Sequence, residues 1–130
     1  MTAVAVDLVV QLFGTKKCPD TRKAERFFKE RGAKLHVIDL AQKGMSVGEL
    51  RNVATRVGGM EALIDRTGKR YVDKGLKYAA PTGPRIEQML ADDPLLLRTP
   101  IVRAGSKATV GYAAETWQSW IDEAKAGARH

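Results

Sequence analysis

Apolar and polar positions follow two different periods along this chain, and the places where the period changes mark its elements. From Ala5 to Phe13 the run AVDLVVQLF is rich in Val and Leu over a length suited to a buried strand, and Gly14 with Thr15 ends it. It reads as a central strand. After Pro19 the segment DTRKAERFFKERG places Ala24, Phe27 and Phe28 on one helical face, and Gly32 stands at the stop, just past Lys29 and Arg31. Lys34 to Leu40 then alternates apolar and polar side chains around Leu35 and Val37, the pattern of a half-buried strand. Strand, helix and strand in this order predict a parallel pair joined by a right-handed crossover.

The middle of the chain changes character. Ser46 is placed to cap a helix reading VGELRNVATRVG, with Glu49 completing a capping box and Gly58-Gly59 closing it. Met60 to Ile64 reads as a short apolar turn and Arg66 to Tyr71 as a polar loop around Gly68. Pro81 to Asp92 reads as a further helix opened by Thr82 or Pro84. None of these pieces has strand periodicity, so a helical insert over about 41–97 separates the second strand from the third. Strands return at Pro100 to Arg103 and Lys107 to Tyr112, joined by Ala104-Gly105-Ser106 as a hairpin. From Ala114 to Lys125, Trp117, Trp120, Ile121 and Ala124 share one face of a terminal helix. With 130 residues the chain is expected to form one α/β domain over 1–130.

Composition narrows the function classes. Apolar residues make up 44% and charged residues 28%, as in ordinary globular proteins. The net charge of +7 is distributed along the chain, with acids such as Glu25, Glu30, Asp39 and Glu49 interleaved among the bases. This argues for a small anionic ligand held by a few local cations, and against nucleic acid as a partner. The stretch Val4 to Phe13 is too short to span a bilayer and lacks the flanks of a signal peptide, so no membrane association and a cytoplasmic location are expected. A lone cysteine cannot form an internal disulfide, and His36 and His130 have no metal-ligand spacing. Neither a bound metal nor a bound cofactor is expected.

The candidate chemistry sits at Cys18. It follows the first strand and precedes Pro19, which is suited to the first helical position, so the thiol faces a helix N-terminus. Unpaired backbone N–H groups and the positive end of the helix favour thiolate there, and Lys16, Lys17 and Arg22 add charge of the same sign. Asp20 opposes this unless its carboxylate serves the helix start. A Lys-Lys-Cys-Pro turn is a poor place for a buried apolar side chain and a good one for a nucleophile.

The run FGTKKCPDTRKA, from Phe13 to Ala24, resembles the opening motif of the arsenate reductase-like branch of the thioredoxin/glutaredoxin fold. The likeness continues through the helical insert, the segment Glu61 to Asp65, the run Asp93 to Arg98, and Pro100-Ile101-Val102 before the hairpin. It implies a thioredoxin-like fold with an insert between the second and third strands. It implies Cys18 as catalytic nucleophile and Arg22 as its electrostatic stabiliser, with Lys17, Arg98, Thr99 and Pro100 at the substrate or anion site and Thr99-Pro100 as the cis-proline step. Family reductases form an arsenate adduct on the cysteine and reduce it with glutathione and glutaredoxin, so the resemblance also implies glutathione as co-substrate and a small oxyanion or disulfide as substrate.

Three departures reshape that expectation. Thr99 stands where the reductases carry an arginine before the cis-proline, leaving Arg98 one residue off and, in a strand, on the other face. Glu61 falls about where a second family arginine lies. Thr21 occupies the second position of a Cys-x-x-Cys pair, so no internal thiol can resolve an adduct. The reading is therefore a monothiol oxidoreductase with an external resolving thiol and a substrate other than arsenate as an open option. The competing reading is a silent family member that binds a protein partner or acts as a redox-responsive regulator.

Overall fold

The computed structural model describes residues 7–66, 68–73, 75 and 84–127. Its elements are β1 (Val9–Gly14), α1 (Pro19–Glu30), β2 (Lys34–Asp39), α2 (Val47–Val57), α3 (Lys69–Asp73), α4 (Pro84–Asp92), β3 (Ile101–Ala104), β4 (Lys107–Val110) and α5 (Ala114–Gly127), with 3₁₀ turns at Met60–Leu63 and Pro94–Leu96. The strands form one sheet in the order β2-β1-β3-β4. β1 runs parallel to β2 and antiparallel to β3, and β3 pairs antiparallel with β4. This is the α/β, thioredoxin-like order expected from the sequence, with β1 inside the sheet. Expectations for Ala5, Val6 and 81–83 fall outside the described residues.

The near-continuous apolar run of β1 is explained by burial on both faces. Val10 and Leu12 point to one side, where Phe27 and Phe28 of α1 and Trp117 and Ile121 of α5 enclose them. Phe13 points to the other, into a core built by Leu50 and Val53 of α2, Ile86 and Leu90 of α4, and Leu63 and Leu96 of the turns. The insert thus supplies the second face of the sheet. β2 lies at the sheet edge, which leaves Val37 48% exposed although it shares a face with Leu35.

Helix boundaries follow local chemistry. Pro19 opens α1, where a missing N–H costs nothing, and Gly32 adopts φ 76° beyond the last turn. Ser46 Oγ accepts from the Glu49 backbone N–H while the Glu49 carboxylate accepts from the Ser46 N–H, forming the expected capping box, and Gly58 ends α2 at φ 97°. Replacing Ser46 with alanine should cost about 1 kcal/mol, read as a lower denaturant midpoint at unchanged slope.

One segment differs from expectation. Part of the Arg66 to Tyr71 loop is the start of the helix Lys69–Asp73, and Tyr71 is buried in the core beneath the insert. Five residues carry too little periodicity to reveal a helix. The gain that holds this turn is the burial of Tyr71, a long-range effect.

Candidate active site

The loop Thr15–Lys17 brings the chain from the end of β1 to the start of α1. Cys18 is the N-cap of α1, with extended backbone angles (φ −83°, ψ 115°), and is half-buried. Its N–H donates to the Thr15 carbonyl at 3.2 Å, and its own carbonyl accepts from the Arg22 N–H at 3.3 Å. The thiol donates to the Thr99 carbonyl at 3.8 Å, and the Thr99-Pro100 peptide is cis, as the resemblance implied.

Burial pushes the Cys18 thiol up, but donors that favour the ionised sulfur outweigh it and the net shift is downward. These are the hydroxyls of Thr21 and Thr99 and the backbone N–H groups of Thr21 and Asp20, although beside the neutral thiol the Thr21 hydroxyl makes no hydrogen bond. As a neutral thiol the side chain makes no cap bond. As a thiolate it becomes the acceptor that the first-turn N–H groups lack. Asp20 enters through its main chain at the helix start. Since folding favours the ionised form, this contribution to stability is absent below the folded-state pKa. It grows as pH rises and is complete above the unfolded value of about 8.5.

Cys18 opens into a cleft of about 760 Å³ whose walls include Lys16, Lys17, Lys69, Arg70, Pro94, Leu95, Leu97 and Thr99, with Asp39 and Asp65 also present. Of the residues expected at the site, Cys18, Lys17 and Thr99 are brought together here, and Pro100 is fixed beside them by the cis bond. Arg22 is exposed and lines an adjoining groove between α1 and β2, with Val37 and Glu25, that shares Thr15, Lys16 and Asp39 with the cleft. Arg98 is exposed and its guanidinium packs over Gly111; it lies ahead of β3, so the strand alternation expected of it does not apply. Glu61 is exposed on the Met60–Leu63 turn and does not line the cleft. Arg70 lines it but is engaged, its Nε lying 2.9 and 2.8 Å from the two carboxylate oxygens of Asp93.

Sequence reasoning missed Lys69 and Arg70, which the insert folds over the thiol and which carry no local motif. It also passed over the part played by Thr21. The signal there was available, because Thr21 stands to Cys18 as Glu49 stands to Ser46: three residues into a helix from its cap. Among the described residues no group of three His, Cys, Asp or Glu side chains comes together as metal ligands, and no helix is long and apolar enough to cross a membrane.

The model of the ArsC family matches residues 13–120. An arsenate reductase of Neisseria meningitidis is 28% identical over 111 residues, covering 82% of this chain and 92% of that protein. The global transcriptional regulator Spx 2 of Oceanobacillus iheyensis is 24% identical over 106 residues, covering 81% and 78%. Among solved structures, the arsenate reductase from Vibrio cholerae superposes with a TM-score of 0.74 at 21% identity, covering 91% of this chain and 98% of that one.

Proposed function

The chain belongs to the ArsC family, and from that premise we propose that it is a monothiol oxidoreductase in which Cys18 is the nucleophile and glutathione the external resolving thiol. The observation that carries this reading is the placement of one thiol, shifted toward its ionised form, at the N-cap of α1 and open to the cleft. The substrate is a glutathionyl mixed disulfide. The Cys18 thiolate attacks the glutathionyl sulfur, the Cys18–S bond forms as the substrate S–S bond breaks, and the departing thiolate takes a proton from water. A glutathione thiolate then attacks the adduct, releasing oxidised glutathione and restoring the Cys18 thiolate. Two glutathione sulfurs end in the disulfide, and the substrate gains two electrons and one proton at its sulfur.

The cleft supports a disulfide better than arsenate. Its free cations are lysines, flexible point charges, while Arg70 is bound to Asp93 and Arg22 and Arg98 lie outside the lining. Planar, bidentate capture of a small oxyanion depends on arginine forks. The apolar wall of Pro94, Leu95 and Leu97 suits a thiol with an organic body. The test is turnover coupled to glutathione reductase. Activity with glutathione and 2-hydroxyethyl disulfide should exceed activity with arsenate, and turnover with arsenate alone would reassign the substrate to an oxyanion.

The similarity to a transcriptional regulator favours a second reading, a protein-binding module with no need of the thiol. Partner capture that persists in Cys18→Ala, together with absent turnover in the unaltered protein, would establish it.

A further inference from the structure

Phe13 of β1, Ile101 of β3 and Val110 of β4 stand in one row across the sheet. The segments that follow β1, precede β3 and follow β4 therefore leave the sheet at the same end, which Cys18, Thr99 and Tyr112 share. Contacts join them into one surface. The Cys18 thiol meets the Thr99 carbonyl, the Pro100 carbonyl accepts from the Gly111 N–H at 2.8 Å, and the Arg98 guanidinium lies over Gly111. Tyr112 is 53% exposed, with its ring nearly perpendicular to that of Trp117 and the Lys23 ammonium of α1 5.7 Å from its centre. Trp117 holds the ring in place while half of it stays in solvent, which makes it a fixed ledge.

The positive charge of this surface is not answered within the chain. Lys29, Arg51, Arg70, Arg103 and Lys107 each pair with a carboxylate, whereas among the described residues Lys16, Lys17, Lys23 and Arg98 have none within ion-pair distance. Asp39 and Asp65 lie on the cleft side, where the Asp39 carboxylate accepts from the Ala41 N–H. Glu25 is taken by Lys29, leaving Asp20 and Glu115 as the acids in the first turns of α1 and α5. We propose that this surface docks an acidic polypeptide, so that the disulfide Cys18 attacks joins glutathione to a cysteine in an acidic segment of a protein. Lys16 and Lys17 flank the thiol on the cleft side and Arg98 and Lys23 on the other, so acidic side chains to either side of the reacting cysteine meet a base, and Tyr112 offers apolar contact. The inference rests on the oxidoreductase reading and names its leaving group. The glutathionyl sulfur bonds to Cys18, the S–S bond breaks, and the peptide cysteine departs as a thiolate that takes a proton from water. Acidic flanks alone make such a thiolate a poor leaving group, and the docked bases offset them.

The test uses two peptides of equal length, each glutathionylated at a central cysteine, one flanked by Asp and Glu and the other by Lys. Transfer of the glutathionyl group to Cys18 is followed by intact mass in a single turnover. The acidic peptide is expected to react about tenfold faster at low ionic strength, with the advantage falling toward unity in about 0.5 M salt. Arg98→Glu combined with Lys23→Glu should remove the preference. Lys125→Glu combined with Arg56→Glu, the same change of charge at the last turns of α5 and α2, should keep most of it. Circular dichroism confirms folding, and Arg98→Gln with Lys23→Gln replaces the first pair if that variant does not fold. Equal rates for the two peptides, or a preference lost equally in both double variants, would overturn the proposal. Equal rates with a normal adduct from oxidised glutathione overturn this inference alone, whereas no transfer from either peptide and no such adduct overturn the oxidoreductase reading and this one with it.

Discussion

Replacing Cys18 with serine is expected to abolish glutathione-dependent disulfide turnover, lowering it by about three orders of magnitude or more. The hydroxyl that results does not ionise near neutral pH and is a poor nucleophile toward sulfur. No second thiol exists in the chain to take over. The fold should survive, because Cys18 is half-buried in a loop-to-helix turn and belongs to neither apolar core. Serine is also a better N-cap than a neutral thiol, so thermal stability should hold or rise slightly. Lost turnover with an intact unfolding transition is the signature of a reacting group. Retained turnover would show that the chemistry lies elsewhere.

The largest effect on stability is expected at Trp117. Its side chain is fully buried and meets Phe27 and Phe28 of α1 and Tyr112 ahead of α5, with ring centroids 5.4 to 5.6 Å apart. Its Nε1 donates to Thr109 Oγ1 of β4 at 2.7 Å, so one side chain ties α5 to α1 and to the sheet edge. Trp117→Ala removes the ring contacts and leaves a cavity that the rigid strands cannot close, at a cost of about 3–5 kcal/mol. Against a total of roughly 5–15 kcal/mol for a domain, that is about a fifth of the stability at the least. Chemical denaturation should show a large loss, and Trp117→Phe, which keeps most of the apolar volume, a clearly smaller one.

The elements carrying strong local signals are legible in the sequence. The strand β2, the stripe of Ala24, Phe27 and Phe28, and the capping box at Ser46 each depend on neighbours a few residues apart and each stands where the sequence placed it, although burial along β2 does not alternate because the strand lies at the sheet edge. Cys18 at the start of a helix was legible for the same reason. Arrangements made by tertiary folding were harder. Lys69 and Arg70 lie far along the chain from Cys18, and only the packing of Tyr71 into the insert core brings them to the cleft. Arg22 is one turn from Cys18 on α1, but the buried stripe of Thr21, Ala24 and Phe28 turns its side chain outward to the neighbouring groove. Arg98 lies away from the cleft, with its guanidinium over Gly111, but it stands ahead of β3, so the local backbone and not strand alternation sets its direction. In the sequence Thr21 marks only the absence of a second cysteine. Its contact with Gly14 depends on how closely α1 approaches β1, which no spacing in the sequence reveals.

The central claim, that Cys18 forms a covalent adduct which an external thiol resolves, is tested most directly by intact-mass measurement at pH 7. Exposure to oxidised glutathione should add one glutathionyl group at Cys18, and reduced glutathione should return the protein to its starting mass with the thiol available again. A protein that remains unmodified, or an adduct that glutathione cannot remove, would contradict it.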